Sequence, residues 1–117
     1  MKGMSVPQDF LAAIRTICLA LPEAEAYVMH DHPAFRVGKK PFVIMGEDDF
    51  SLKVPILDQP LYLEDPRFTL THYIGRHGWV TMKPGSQADW DEIPRLIGIS
   101  YRQAAPKRLL KTLGESR

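Results

Sequence analysis

Hydrophobic residues first gather into a helical stripe near the start of the chain. Phe10, Leu11, Ile14, Ile17, Cys18 and Leu21 recur at three- and four-residue spacings, so they share one face of an α-helix that needs a core to pack on. Ser5 as N-cap, Pro7 in the first turn and Gln8 three residues after Ser5 predict where this helix begins. Pro22 ends it, because the residue before a proline is pushed out of the α region.

From Glu25 to Val54 the pattern changes to short β-like runs separated by turn residues. "AYVMHDH" (26–32) predicts a strand, and "AFRV" (34–37) leads through Gly38-Lys39-Lys40-Pro41 into "FVIM" (42–45) as a hairpin. After the turn Glu47-Asp48-Asp49, Phe50, Leu52 and Val54 alternate with Ser51 and Lys53, the pattern of a half-buried strand. Short strands in this order predict an antiparallel meander. Prolines 55, 60 and 66 limit any helix within 55–70 to a short or broken one, and residues 79–83 read as a last strand.

The final third is helical. "WDEIPRLIGISYRQAA" (90–105) puts Ile93, Leu96, Ile97 and Tyr101 on one side, with Asp89 or Asp91 expected to cap it. Pro106 then opens a short basic helix, "PKRLLKTL". The fold class is α+β: an N-terminal helix, an antiparallel β-meander and C-terminal helices packed on the sheet, in one domain over residues 1–117.

Composition adds exclusions. With 44% hydrophobic and 25% charged residues the chain is an ordinary globular one, able to form a core without metal or disulfide support. A single cysteine, Cys18, excludes an intramolecular disulfide and fits a reducing compartment. No apolar run approaches a membrane span and the N-terminus lacks a signal-peptide core, so a cytoplasmic location without membrane contact is expected. The net charge of +1 is below what a dedicated nucleic-acid binder carries, but the charges are segregated along the chain. Residues 32–46 and 66–88 hold Arg36, Lys39, Lys40, Arg67, Arg76 and Lys83 with no acid, and 101–117 holds Arg102, Lys107, Arg108, Lys111 and Arg117 against only Glu115. Residues 47–65 hold Glu47, Asp48, Asp49, Asp58, Glu64 and Asp65 against Lys53 alone.

Candidate chemistries narrow quickly. His30 and His32 would point to the same face of a strand, half of a zinc or iron site that His72 or His77 could complete. A carboxylate or cysteine at local ligand spacing is missing, so solvated or partner-bonded histidines are expected and no metal or cofactor is implied. Cys18 lies on the apolar helix face, where a free cysteine acts as a small hydrophobe. No Gly-x-Ser-x-Gly elbow or phosphate-binding glycine loop occurs, and no catalytic residue emerges. Trp79 shares a strand face with Thr81 and Lys83; packing under a covering element is the expected role of so large a ring, and exposure beside Lys83 would suit base stacking.

Several stretches together resemble the MmcQ/YjbR family of small bacterial proteins: "AFRVGKKPF" (34–42), Leu52-Lys53, "YIGRHGWV" (73–80) and "SYRQAAPKRL" (100–109), with Leu21-Pro22 after the first helix. The resemblance runs from about Val6 to Leu113. It implies an α+β fold likened to a double-wing DNA-binding domain, whose β-hairpins present basic residues, and it implies no catalytic residues.

The expectation is therefore a non-enzymatic nucleic-acid binder making weak, salt-sensitive contacts to DNA phosphates through Arg36, Lys39, Lys40, Arg76, Lys83, Lys107 and Arg108, with His77 or Trp79 toward bases or sugar. The alternative is a small-ligand or partner-protein module whose sheet face uses Trp79, Tyr73, Tyr27 and the histidines. A third, an enzyme centred on His30, His32 and His72, requires those imidazoles to converge.

Overall fold

The computed structural model describes residues 9–113. Its elements run α1 (Phe10–Leu19), β1 (Glu25–Met29), β2 (His32–Val37), β3 (Lys40–Met45), β4 (Phe50–Lys53), α2 (Gln59–Leu63), β5 (Phe68–Leu70), a 3₁₀ turn (Gly75–His77), β6 (Trp79–Met82), α3 (Gln87–Ala104) and α4 (Lys107–Thr112). The six strands form one antiparallel sheet in the order β1-β2-β3-β4-β6-β5, a meander apart from the exchanged last pair.

One face of the sheet carries the core. Phe35, Val43, Leu52 and Val80 stand opposite one another across four strands and are buried against Ile14 and Cys18 of α1 and Ile93, Leu96, Ile97 and Tyr101 of α3. The predicted alternation in β4 holds: Phe50, Leu52 and Val54 are buried, Ser51 and Lys53 half-buried. A bulge interrupts the β2–β3 ladder, where pairing jumps from Phe35↔Val43 to Arg36↔Pro41 and leaves Phe42 unopposed. Phe42 is thereby buried beside Val43 and meets Tyr101 edge-on at 5.5 Å. The Tyr101 hydroxyl donates to the Pro22 carbonyl at 2.7 Å, tying α3 to the end of α1.

Several boundaries differ from the sequence reading. Ser5, Pro7 and Gln8 lie outside the described residues; α1 begins at Phe10 with Asp9 as its cap, accepting from the Ala12 amide at 3.0 Å. The strand expected over "AYVMHDH" ends at Met29: His30 and Asp31 form the β1–β2 turn in left-handed conformations (φ 49° and 69°) that favour asparagine and aspartate among side-chain-bearing residues, and His32 opens β2 ahead of "AFRV". Ser86 caps α3, with Asp89 completing a capping box from the third helical position; neither Asp89 nor Asp91 is the cap. β5, too short to carry a pattern of its own, adds an edge strand the periodicity did not show.

Candidate nucleic-acid interface and outer-face groove

Antiparallel pairing sends strand ends of alternating sense to the same end of the sheet. The β2–β3 hairpin tip, the last residue of β4 and the first of β6 therefore lie together, as the pairs Val37↔Lys40 and Lys53↔Trp79 require. Gly38 and Lys39 close the hairpin with φ of 56° and 71°. An added Cβ on Gly38 would stand 3.5 Å from Pro106, so the hairpin tip lies against the start of α4. Lys39, Lys40 and Lys107 are gathered there and exposed.

The turn before β6 adds two more side chains at this end. Arg76 and His77, both exposed, share a shallow hollow with Lys53 of β4 and Gln103 near the end of α3. Two features hold this turn. Gly78 has φ 97° and lies so close to the Val54 carbonyl that a Cβ would come within 2.8 Å, which only glycine tolerates. Buried Gln59 donates to the Gly75 and Trp79 carbonyls at 2.7 and 3.1 Å, clamping both ends of the turn.

Acids are sparse at this end. Glu23 is held by a two-pronged ion pair with Arg108 (2.8 and 2.9 Å), and Arg108 holds the Glu23 carboxyl below its ordinary pKa. Glu25 pairs with Arg36 at 3.1 Å, while the Arg36 guanidinium lies 4.5 Å over the Tyr27 ring. Asp58 stands at the start of α2, next to Gln59. Among the described residues, Lys39, Lys40, Arg76 and Lys107 have no acidic partner.

The opposite end is acidic. The β3–β4 turn carries Glu47, Asp48 and Asp49, and Asp48 pairs with Lys83 at 3.0 Å. Arg67 is enclosed by Asp65, Asp89 and Glu92 at 2.8, 3.1 and 2.8 Å, and its guanidinium holds Asp65 and Glu92 below the ordinary carboxylate range. For Asp89 the backbone amides of Gly85 and Ser86 act alongside Arg67 in the same direction.

The predicted basic set is thus divided. Lys39, Lys40, Arg76, His77 and Lys107 share one end, and Arg36 and Arg108 join them as partners of glutamates. Lys83 belongs to the acidic end. Trp79 is 6% exposed, on a part of β6 where α2 packs, so its ring offers no stacking platform. Lys53, which lay outside the expected basic set, joins the basic end because β4 terminates there.

On the outer face of the sheet, away from α1 and α3, a half-open groove of about 890 Å³ lies between β3, β4, β6 and the segment 69–74. His30, His32 and His72 all line it, as does Tyr73, but Trp79 and Tyr27 do not. Because His30 sits in a turn, it and His32 are not a same-face strand pair, and no group of three or more His, Cys, Asp or Glu among the described residues is placed to hold a metal ion. Cys18 is fully buried and burial pushes its thiol far up, which keeps it protonated and unreactive.

A family model for YjbR matches residues 19–103. The chain belongs to the YjbR family. Among solved structures, the Deinococcus radiodurans protein DR2400, with a DUF419 domain, aligns at TM-score 0.73 and 19% identity, covering 99% of this chain and 94% of that one. At that identity the likeness speaks for the fold alone, and it agrees with the α+β architecture that the YjbR-like stretches implied. No curated protein matches the chain. Among the described residues no helix is long and apolar enough to cross a membrane.

Proposed function

We propose that this YjbR-family chain is a cytoplasmic, non-enzymatic nucleic-acid binder that contacts DNA phosphates with the basic end of its sheet. One observation carries the reading: Lys39, Lys40, Arg76 and Lys107 are gathered at one end, exposed and without acidic partners among the described residues, while Glu47, Asp48, Asp49 and the Arg67 cluster stand at the other. A field divided in this way turns the basic end toward a polyanion even though the net charge is only +1. By analogy with a double-wing domain, the Gly38-Lys39 hairpin tip would offer Lys39 and Lys40 to phosphates, and His77 beside Arg76 would meet sugar or base edges. Contacts of this kind release counterions, so the affinity is weak, salt-sensitive and largely independent of sequence.

Fluorescence anisotropy with a labelled DNA duplex at ~50 and ~200 mM salt tests the reading, since counterion release makes affinity fall steeply between them. Saturable binding at the lower salt is expected, with loss in the Lys39→Glu/Arg76→Glu double variant and near-unchanged binding in Lys83→Glu. Absence of binding at the lower salt, or equal loss in Lys83→Glu, rejects it.

A further inference from the structure

The outer-face groove shares no lining residue with the basic hollow around Arg76 and His77, and its chemistry differs. Its lining includes the apolar side chains of Met29, Ile44 and Leu70. Across it runs a row of hydroxyls, Ser51 to Thr81 at 2.8 Å and Thr81 to Thr71 at 2.9 Å. Each hydroxyl donates one proton and accepts others, so the row can reverse direction and present either a donor or an acceptor at its ends.

His32 is fixed by a second constraint. Its Nδ1 lies 3.0 Å from the Met45 carbonyl, which can only accept, so Nδ1 carries the proton. In the neutral ring Nε2 is then an acceptor. At the rim, His72 and Tyr73 stand with ring centroids 6.2 Å apart. Tyr73 is 95% exposed and holds φ 66°, a left-handed conformation that is costly for an aromatic residue and here gains no burial in return. Asp49 lines the groove, and Asp31, Glu47 and Asp48 lie in the two turns at its mouth.

We propose that this groove binds a small planar nitrogen heteroaromatic that is neutral or cationic. The apolar lining and the Tyr73–His72 pair suit a flat ring, the hydroxyl row and His32 Nε2 suit its ring nitrogens and N–H groups, and the acidic turns repel anions. This site is independent of the phosphate-contacting end.

The test is a titration of the ¹⁵N-labelled chain, followed by amide shifts, with adenosine as neutral probe, 4-aminoquinoline, protonated on its ring nitrogen at neutral pH, as cationic probe and adenosine monophosphate as anionic counterpart. Saturable shifts at His32, Ile44, Thr71 and Thr81 are expected with the first two probes, and at least ~tenfold weaker binding of the monophosphate than of adenosine. Thr81→Val, which keeps the side chain's shape, and Tyr73→Gly, which releases the left-handed strain, both retain a folded spectrum and each weakens adenosine at least ~fivefold. Lys39→Glu/Arg76→Glu leaves these titrations unchanged. Shifts outside the groove, no shifts at millimolar probe, or monophosphate binding as tight as adenosine overturn the proposal.

Discussion

The Ser100 hydroxyl of α3 donates to the Phe42 carbonyl of β3 at 2.6 Å and, in the same position, accepts the Lys53 amide of β4 at 2.7 Å. Phe42 is the bulged residue, and Lys53 is the next residue after the last β3–β4 pair, Val43↔Leu52. A helix side chain thus carries the β3–β4 ladder past its last pair, at the residue that is bulged on the β2 side, and it does so at the end of the sheet where the basic residues lie.

Ser100→Ala leaves a buried amide and carbonyl without their partner. A loss of about 2 kcal/mol is expected, the cost of unsatisfied buried groups, read from the urea midpoint at constant slope. If the two strands closed directly onto each other instead, stability would be unchanged and the inserted role refuted.

Gln59→Leu removes both clamps on the turn carrying Arg76 and His77. Loss of roughly 1–3 kcal/mol is expected because two carbonyls lose their donor. DNA affinity should fall with it, although residue 59 is uncharged and buried, and a variant that bound DNA as the parent does would show that the turn needs no clamp.

The Arg67 cluster makes stability depend on acid. Asp65, Asp89 and Glu92 have folded pKa values depressed below their unfolded ones, chiefly through Arg67 for Asp65 and Glu92 and chiefly through the Gly85 amide for Asp89. Above the unfolded values of about 4 all three are ionised in both states and the contribution is complete. As pH falls below that range the unfolded chain takes up protons first, and stability is lost through the lower folded values. Melting temperatures measured across the acid range should show this fall, and Arg67→Gln should reduce it to the part that the backbone amides sustain at Asp89, while lowering neutral-pH stability by about 1 kcal/mol.

Tyr73→Gly should leave stability unchanged or raise it by up to about 1 kcal/mol, since the ring is 95% exposed and glycine accepts φ 66° freely. A clear loss of stability would mean that the ring packs in solution and that its conformation serves the fold.

Much of this architecture was legible from periodicity. Phe50, Leu52 and Val54 announced β4 and the Ile93–Tyr101 stripe announced α3, because those patterns depend only on which side chains must leave water, and Gly38 announced the hairpin because glycine accepts the left-handed backbone of a tight turn. The His30-Asp31 turn was not legible: it adopts a left-handed geometry without the glycine that usually signals it, so the first strand is expected to run on to residue 32 instead of ending at Met29. β5 escaped for a different reason, since three residues carry no period.

The candidate sites divide along the same line. Local sequence determined the fold class, the core faces and the basic character of Lys39, Lys40, Arg76 and Lys107, because hydrophobic spacing and side-chain charge are properties of neighbours in the chain. Only the tertiary structure decided that Lys83 faces Asp48, that α2 packs where Trp79 is buried, and that Ser51, Thr71, Thr81 and three histidines line one groove. Those outcomes follow from which strand ends antiparallel pairing brings together, and that pairing joins residues dozens of positions apart.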